Sequence, residues 1–380
     1  MLIADRIAAD LARDHAPAGE VVGSEERLLE RYGVGRGALR EAIRILEFRG
    51  VGRMRRGPNG GLVVTLPSAQ LVGQSFAGHA LLTAVRPEHL DEALHALDDI
   101  AGECPTSPIV RMFTQCLTIL GEHVSSGRFV ALPSSAFETR RMTVGWRRAG
   151  QTARNIIADL TRAPGRAGNR FGSEADLCRR YGVSRSVARQ TVRLLEDAGV
   201  LEAQRGRGRG LFVRQPTAGH VIRVMCLHLQ TEGVTSAMSW QVGQLLSVAL
   251  AATAAEHTSR GWVGSHHLAA GTLQRLAEED RGLHLDELFS IEQSVDSLAA
   301  NPILSVMVES LRSYSARVIR GRDAILARFA ADCSGEYLES TRAVVAAITR
   351  GDARAAGRAQ ELKNQFFESR VRAERSVALA

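Results

Sequence analysis

Residues 172–213 read GSEADLCRRYGVSRSVARQTVRLLEDAGVLEAQRGRGRGLFV, and this stretch decides the fold. Ser173 is a candidate N-cap, and Glu174 and Asp176 follow it where acids meet the positive end of a helix dipole. Gly182 closes that short helix in a tight turn. A longer helix then runs over 184–198 until Gly199 stops it. Two β-like pieces flank a tip rich in glycine and arginine, the second piece being Leu211-Phe212-Val213. With an amphipathic helix over 151–162 in front, the order is helix, helix, turn, helix, hairpin: a winged helix-turn-helix.

The same pattern stands earlier in the chain. Residues 23–64 read GSEERLLERYGVGRGALREAIRILEFRGVGRMRRGPNGGLVV, displaced by 149 positions. Without a gap, 28 of the 61 positions from 4 to 64 are identical to their counterparts, which marks a tandem duplication. Helices are expected over 2–14 and 35–49 in this copy, with Ser24 as N-cap and Gly33 and Gly50 as stops.

The third helix of each copy carries the chemistry. Arg185, Arg189 and Arg193 fall within an arc of about 80°, as do Arg36, Arg40 and Arg44. Ala188, Val192, Leu194 and Leu195 take the other side, matched by Leu39, Ile43, Ile45 and Leu46. Guanidinium forks fit guanine edges and phosphates in two-pronged geometry, as a helix in the major groove requires. A solvated arginine face is the plainer reading of one such helix. Two copies, each behind a glycine turn and ahead of a basic wing, favour DNA. The wing tips add Arg55, Arg56 and Gly57 in the first copy and Arg205, Gly206, Arg207 and Arg209 in the second, with Ser184 and Ser186 completing the second helix start. A nucleotide-binding loop fails on context, because the glycines follow a helix and lead into a strand.

Charge sharpens the picture. The 380 residues carry a net +7, with one lysine, Lys363, and otherwise arginine. Residues 151–215 hold 13 Arg against 6 acids, and residues 1–66 hold 11 against 9. The second copy is therefore expected to dominate DNA affinity. Pyridoxal phosphate chemistry is disfavoured, because Lys363 sits in a polar C-terminal stretch. Five scattered cysteines without a CxxC pair argue against a disulfide or zinc scaffold and for a reducing cytoplasm. No apolar run reaches membrane-spanning length, so no membrane partner is expected. No catalytic constellation stands out, and the chain is read as a non-enzyme without a cofactor.

These residues resemble the winged-helix domain of the GntR family of bacterial transcription regulators. Its pattern places Ser-Glu-Arg-x-Leu in the second helix, Gly-Val-Ser-Arg before the third and Arg-x-Gly-x-Gly in the wing. This chain has Ser173-Glu174-Ala175-Asp176-Leu177 and Gly182-Val183-Ser184-Arg185, against Ser24-Glu25-Glu26-Arg27-Leu28 and Gly33-Val34-Gly35-Arg36. Where the family has an arginine that touches DNA, Glu26 and Ala175 stand, and the hydroxyl of Ser184 is lost at Gly35.

Residues 217–375 read as helices over 219–231, 236–257, 262–279, 283–299, 302–328, 335–349 and 353–372. Asn301-Pro302-Ile303-Leu304 and Gly351-Asp352-Ala353-Arg354-Ala355-Ala356 resemble the all-α effector domain of the fatty-acid-regulator-like branch of that family. Many such domains hold a metal on one Asp and three His. The resemblance carries those positions to Leu288, Glu292, Thr341 and Lys363, which make no divalent-metal site. Effector contacts are expected from Glu292, Thr341 and Lys363, with Arg312 and Arg317 able to meet an anionic group such as an organic acid or acyl compound. Residues 68–148 look like a truncated copy of the same helical domain.

The fold expected is mainly α, with four domains: a winged helix at 1–67, a truncated helical domain at 68–148, a second winged helix at 149–216 and the effector-binding, dimerisation domain at 217–375. The function expected is a cytoplasmic regulator, a repressor bound to a double-stranded DNA operator and released by a small molecule. Such a chain is a pseudo-dimer, with a further homodimer left open. An architectural DNA-binding protein without effector is the alternative.

Overall fold

The computed structural model describes residues 3–13, 16–17, 19–55, 57, 60–65, 67–83, 85–126, 144–162, 168–204, 210–214, 217–261, 282–319 and 322–378. In chain order the elements are α1 (Ile3–Arg13), β1 (Val21–Gly23), α2 (Glu25–Tyr32), α3 (Arg36–Phe48), β2 (Gly52–Arg55), β3 (Gly61–Val64), α4 (Ala69–Leu82), α5 (Pro87–Glu103) and α6 (Pro108–Ser126). There follow α7 (Val144–Arg162), β4 (Arg170–Gly172), α8 (Glu174–Tyr181), α9 (Arg185–Asp197), β5 (Leu201–Ala203), β6 (Leu211–Val213) and α10 (Gly219–Thr231). Further described helices are α11 (Ser236–Ser259), α12 (Leu285–Ser297), α13 (Pro302–Val318), α14 (Arg322–Asp332), α15 (Ser334–Thr349) and α16 (Ala353–Ala378). Among the described residues the protein is mainly α, with two small antiparallel sheets.

The chain divides into two compact units. One comprises Met1–Pro87 with Arg111–Gly233, the other Glu88–Val110 with Val234–Ala380. In the first unit the order β1-β3-β2 repeats as β4-β6-β5. Arg53 pairs with Val63 in the first hairpin, and Glu202 with Phe212 in the second. Each winged segment has its own apolar core. Ile7, Leu28, Leu39 and Leu46 centre the first, and Ile156, Leu177, Ala188 and Leu195 the second, all essentially water-free. The apolar sides expected for the third helices are thus the buried ones.

Local sequence fixes these turns. Ser24 Oγ accepts from Arg27 N, and Ser173 Oγ from Asp176 N, whose carboxylate in turn accepts from Ser173 N at 2.7 Å. Gly33 and Gly182 sit in the left-handed region at φ 62° and 61°, where a side chain would be strained. Gly61 and Gly210 are required for another reason. A Cβ on either would stand 2.3 or 2.4 Å from the carbonyl oxygen of Gly23 or Gly172 on the neighbouring strand.

In the second unit the structure corrects two readings. The single helix expected over 302–328 is two, because Ile319 takes extended angles (φ −93°, ψ 107°) and ends α13; α14 then starts at Arg322. Lys363, read as part of a polar C-terminal stretch, is 2% exposed. The polar residues there belong to α16, whose inner side carries Gln360 and Lys363 into the helical core. The start of α13 is as read: Asn301 Oδ1 accepts from the backbone N of Ile303 and Leu304, with Pro302 opening the helix. Asp352 likewise caps α16, accepting from Ala355 N at 2.9 Å after Gly351 at φ 72°. The helix expected over 262–279 lies outside the described residues.

Candidate functional site

The second winged segment presents its arginines as a pre-set face. Ser184 N-caps α9, its Oγ accepting from Val187 N at 3.4 Å and lying 3.0 Å from Ser186 Oγ. Ser184, Arg185, Ser186, Arg189 and Arg193 are all exposed. Arg189 Nε donates to Glu174 on the first turn of α8 at 3.2 Å. In the first copy Arg40 Nε makes the same bond to Glu25 at 2.9 Å. An acid on the second helix therefore orients the middle arginine of the third helix in both copies. Sequence reading missed these carboxylates. The only available signal was their fixed separation of 15 residues in both copies.

Arg36 and Arg40 are exposed and Arg44 is half-buried. Arg55 is exposed at the end of β2, and Gly57 turns there at φ 117°. Arg56, Arg205, Gly206, Arg207 and Arg209 lie outside the described residues. Arg193 differs from its neighbours: its Nη1 donates to Glu41 of α3, so it joins the two winged segments. At Glu26 the hydrogen bonds of its own helix turn and of Ser24 hold the exposed carboxyl below the usual range. A firm negative charge thus occupies the first turn of α2, where a phosphate would be repelled.

The helical unit gathers most of the expected effector residues into one charged cluster. Lys363 Nζ donates to Glu292 Oε1 at 2.5 Å, and Tyr337 OH donates to the same oxygen at 2.5 Å. Arg312 donates to Glu292 Oε2 at 3.1 Å and also to Asp296. The ammonium lies 4.9 Å from the centre of the Tyr337 ring. Thr341 is fully buried beside this group, its hydroxyl donating to Tyr337 O at 2.8 Å. Arg317 is exposed on α13 and is not brought to the cluster.

Burial works against the charge on Glu292, but Lys363 and Arg312 outweigh it and bring the carboxyl down to about 2. Burial pushes Asp296 up, with Arg312 opposing and Glu292 adding to the rise. Burial and Glu292 raise the Tyr337 phenol well above its ordinary value. The residues carried over for a metal do not fit one. An ammonium rests on the only carboxylate of the set, and Leu288 and Thr341 complete it.

An exposed arginine row on a capped helix, behind a left-handed glycine turn and beside a three-stranded wing, defines a winged helix-turn-helix of the DNA-binding type. Residues 148–212 match the family described as Bacterial regulatory proteins, gntR family, so a GntR-family DNA-binding domain occupies this segment. No curated protein matches the chain. Solved structures that do include a Streptococcus agalactiae GntR, at 17% identity and TM-score 0.38, covering 58% of this chain and 98% of that one. Another is Lar, described as controlling expression of the Listeria monocytogenes agr system, at 14% identity and TM-score 0.28, covering 62% and 99%. A third is a transcriptional regulator GntR from Rhodococcus sp. RHA1, at 20% identity and TM-score 0.23, covering 60% and 97%.

No helix among the described residues is long and apolar enough to cross a membrane.

Proposed function

We propose that this chain is a sequence-specific transcriptional regulator, a repressor that reads its operator chiefly through α9 and releases it when a small molecule binds the helical unit. The observation that carries the reading is the exposed Arg185 and Arg189 pair on a Ser184-capped helix, inside the segment that matches the gntR family. Arg189 is held in place by Glu174, so a two-pronged contact to a base or phosphate costs less side-chain freedom. The first copy, with Gly35 and a firmly ionised Glu26, contributes less affinity and serves as the covalent partner of the second.

The effector we propose is a small organic anion taken at the Glu292–Arg312–Lys363 cluster. Two cations and two acids balance there, so the anion competes with Glu292 for Lys363 and Arg312 and shifts the helices that carry them. Because the cluster already satisfies itself, a purely architectural DNA-binding role is the second reading. Genomic fragments captured by the purified protein, followed by footprinting, decide between them. A bounded footprint that weakens on addition of an organic acid supports a regulated repressor. Protection without sequence preference, and no thermal shift with any acid, supports the architectural role. In the same assay Arg185→Ala costs about 1–3 kcal/mol of binding, and Arg36→Ala clearly less. Equal losses would remove the asymmetry.

A further inference from the structure

Arg49 caps α3 and is 2% exposed, although it follows directly on a helix read as a DNA-facing surface. Its Nε donates to Asp197 Oδ2 at 3.0 Å and its Nη2 to Asp197 Oδ1, while Asp5 on α1 lies 2.9 Å from Nη2. The side chain of Asp197, at the end of α9, is also 2% exposed. Burial disfavours the guanidinium charge, but Asp197 and Asp5 outweigh it. The second tie, Arg193 to Glu41, lies further back along both helices. Both ties thus join α3 to α9, which are equivalent helices of the two copies. The next pair of equivalents, α4 and α10, also meets, and His228 Nδ1 lies 2.9 Å from the carbonyl oxygen of Pro67, just ahead of α4. Like against like is the mark of a two-fold pairing.

The charges break that symmetry. With the displacement of 149, Arg49 corresponds to Ala198 (49 + 149) and Asp197 to Phe48 (197 − 149). The two-pronged bond between Arg49 and Asp197 therefore has no mirror image. The other tie has none either, since Glu41 corresponds to Gln190 (41 + 149). Two second copies paired this way would set Asp197 against Ala198. Arg154, which stands where the first copy has Asp5, is turned along its own helix to Gln151. Two first copies would set Arg49 against Phe48. There Arg49 would keep only Asp5; a buried charge that loses its main partner is costly, so the junction rejects both like pairings.

We infer that the α3–α9 junction is a heterospecific interface: the first winged segment is the dedicated partner of the second within one chain. One chain, rather than two, then occupies one operator, and the two half-sites differ in sequence. This rests on the DNA-binding reading above. The test selects duplexes from a random pool with the full chain and measures stoichiometry by sedimentation. A non-palindromic site bound by one chain is expected. A palindrome bound by two chains overturns the inference while leaving the DNA-binding reading intact; no enriched sequence overturns both. Arg49→Asp weakens binding to the selected duplex by at least about thirtyfold, and adding Asp197→Arg restores most of it. Failure of that rescue in a folded double variant also overturns the heterospecific pairing.

Discussion

The two winged segments share a scaffold and differ on its surface. Both tie the phenol that ends the second helix to an acid of the first: Tyr32 donates to Asp10 at 2.9 Å and Tyr181 to Asp159 at 2.7 Å. Both keep the serine cap, the left-handed glycine and the acid–arginine bond from second to third helix. Differences of charge or hydrogen-bonding capacity include Gly35 for Ser184, Glu26 for Ala175, Arg49 for Ala198 and Glu41 for Gln190. Buried positions changed too, but between apolar or small residues, as Leu39 for Ala188 and Ile43 for Val192, so packing was held in kind while these polar positions diverged in chemistry.

The largest effect expected from this contrast is at the junction. Arg49→Ala leaves Asp197 buried without its main cation and costs about 3–5 kcal/mol in urea unfolding of the first unit. A loss below about 1 kcal/mol would mean that the junction is open to solvent, where ion pairs contribute little.

Acid comes next and separates the two units. Burial lowers His79 to about 4. Burial also lowers His220 to about 4, with Asp197 opposing and Arg223, Arg49 and His79 adding to the drop. Both are neutral in the fold, whereas the unfolded chain takes up their protons near 6.5. Their contribution is therefore whole above pH 6.5 and is lost as pH falls to about 4, up to about 3 kcal/mol for each. Glu292 is depressed to about 2, so its contribution is whole above about pH 4.5 and lost as pH falls towards 2. Asp296, raised by burial, offsets part of that loss. Hydrogen exchange followed down the pH scale should show the first unit opening before the second, and the reverse order would break the contrast.

Smaller effects test what the copies share. Tyr32→Phe and Tyr181→Phe should each cost about 1–2 kcal/mol and match within error, since each removes one hydroxyl from one carboxylate. Unequal losses would show that the common scaffold has drifted as well. Smallest is Glu26→Arg, which should tighten DNA binding by about two- to fivefold and steepen its salt dependence. An unchanged salt slope would place α2 away from the phosphates.

Caps, glycine stops and the apolar sides of both third helices were legible in sequence, because each depends on residues within a turn or two. Three features were not. Lys363 needs Glu292, 71 residues away, before burial of its ammonium becomes tolerable. Arg49 needs Asp197, 148 residues away. Arg193 repeats the spacing of the DNA-facing arginines, and only Glu41 from the other copy distinguishes its role. Helical periodicity shows which side of a helix is polar, but not whether that side meets solvent, DNA or another helix.

The burial of Lys363 also gives the chain an internal clock. It is the sole lysine among 380 residues, and it is 2% exposed. A protease that cuts only after lysine finds one peptide bond in this sequence, behind a side chain held against Glu292 and Tyr337. Cleavage at that bond has to wait for α16 to lift from its neighbours. The rate of a single nick therefore counts openings of the helical unit, without any label added to the protein.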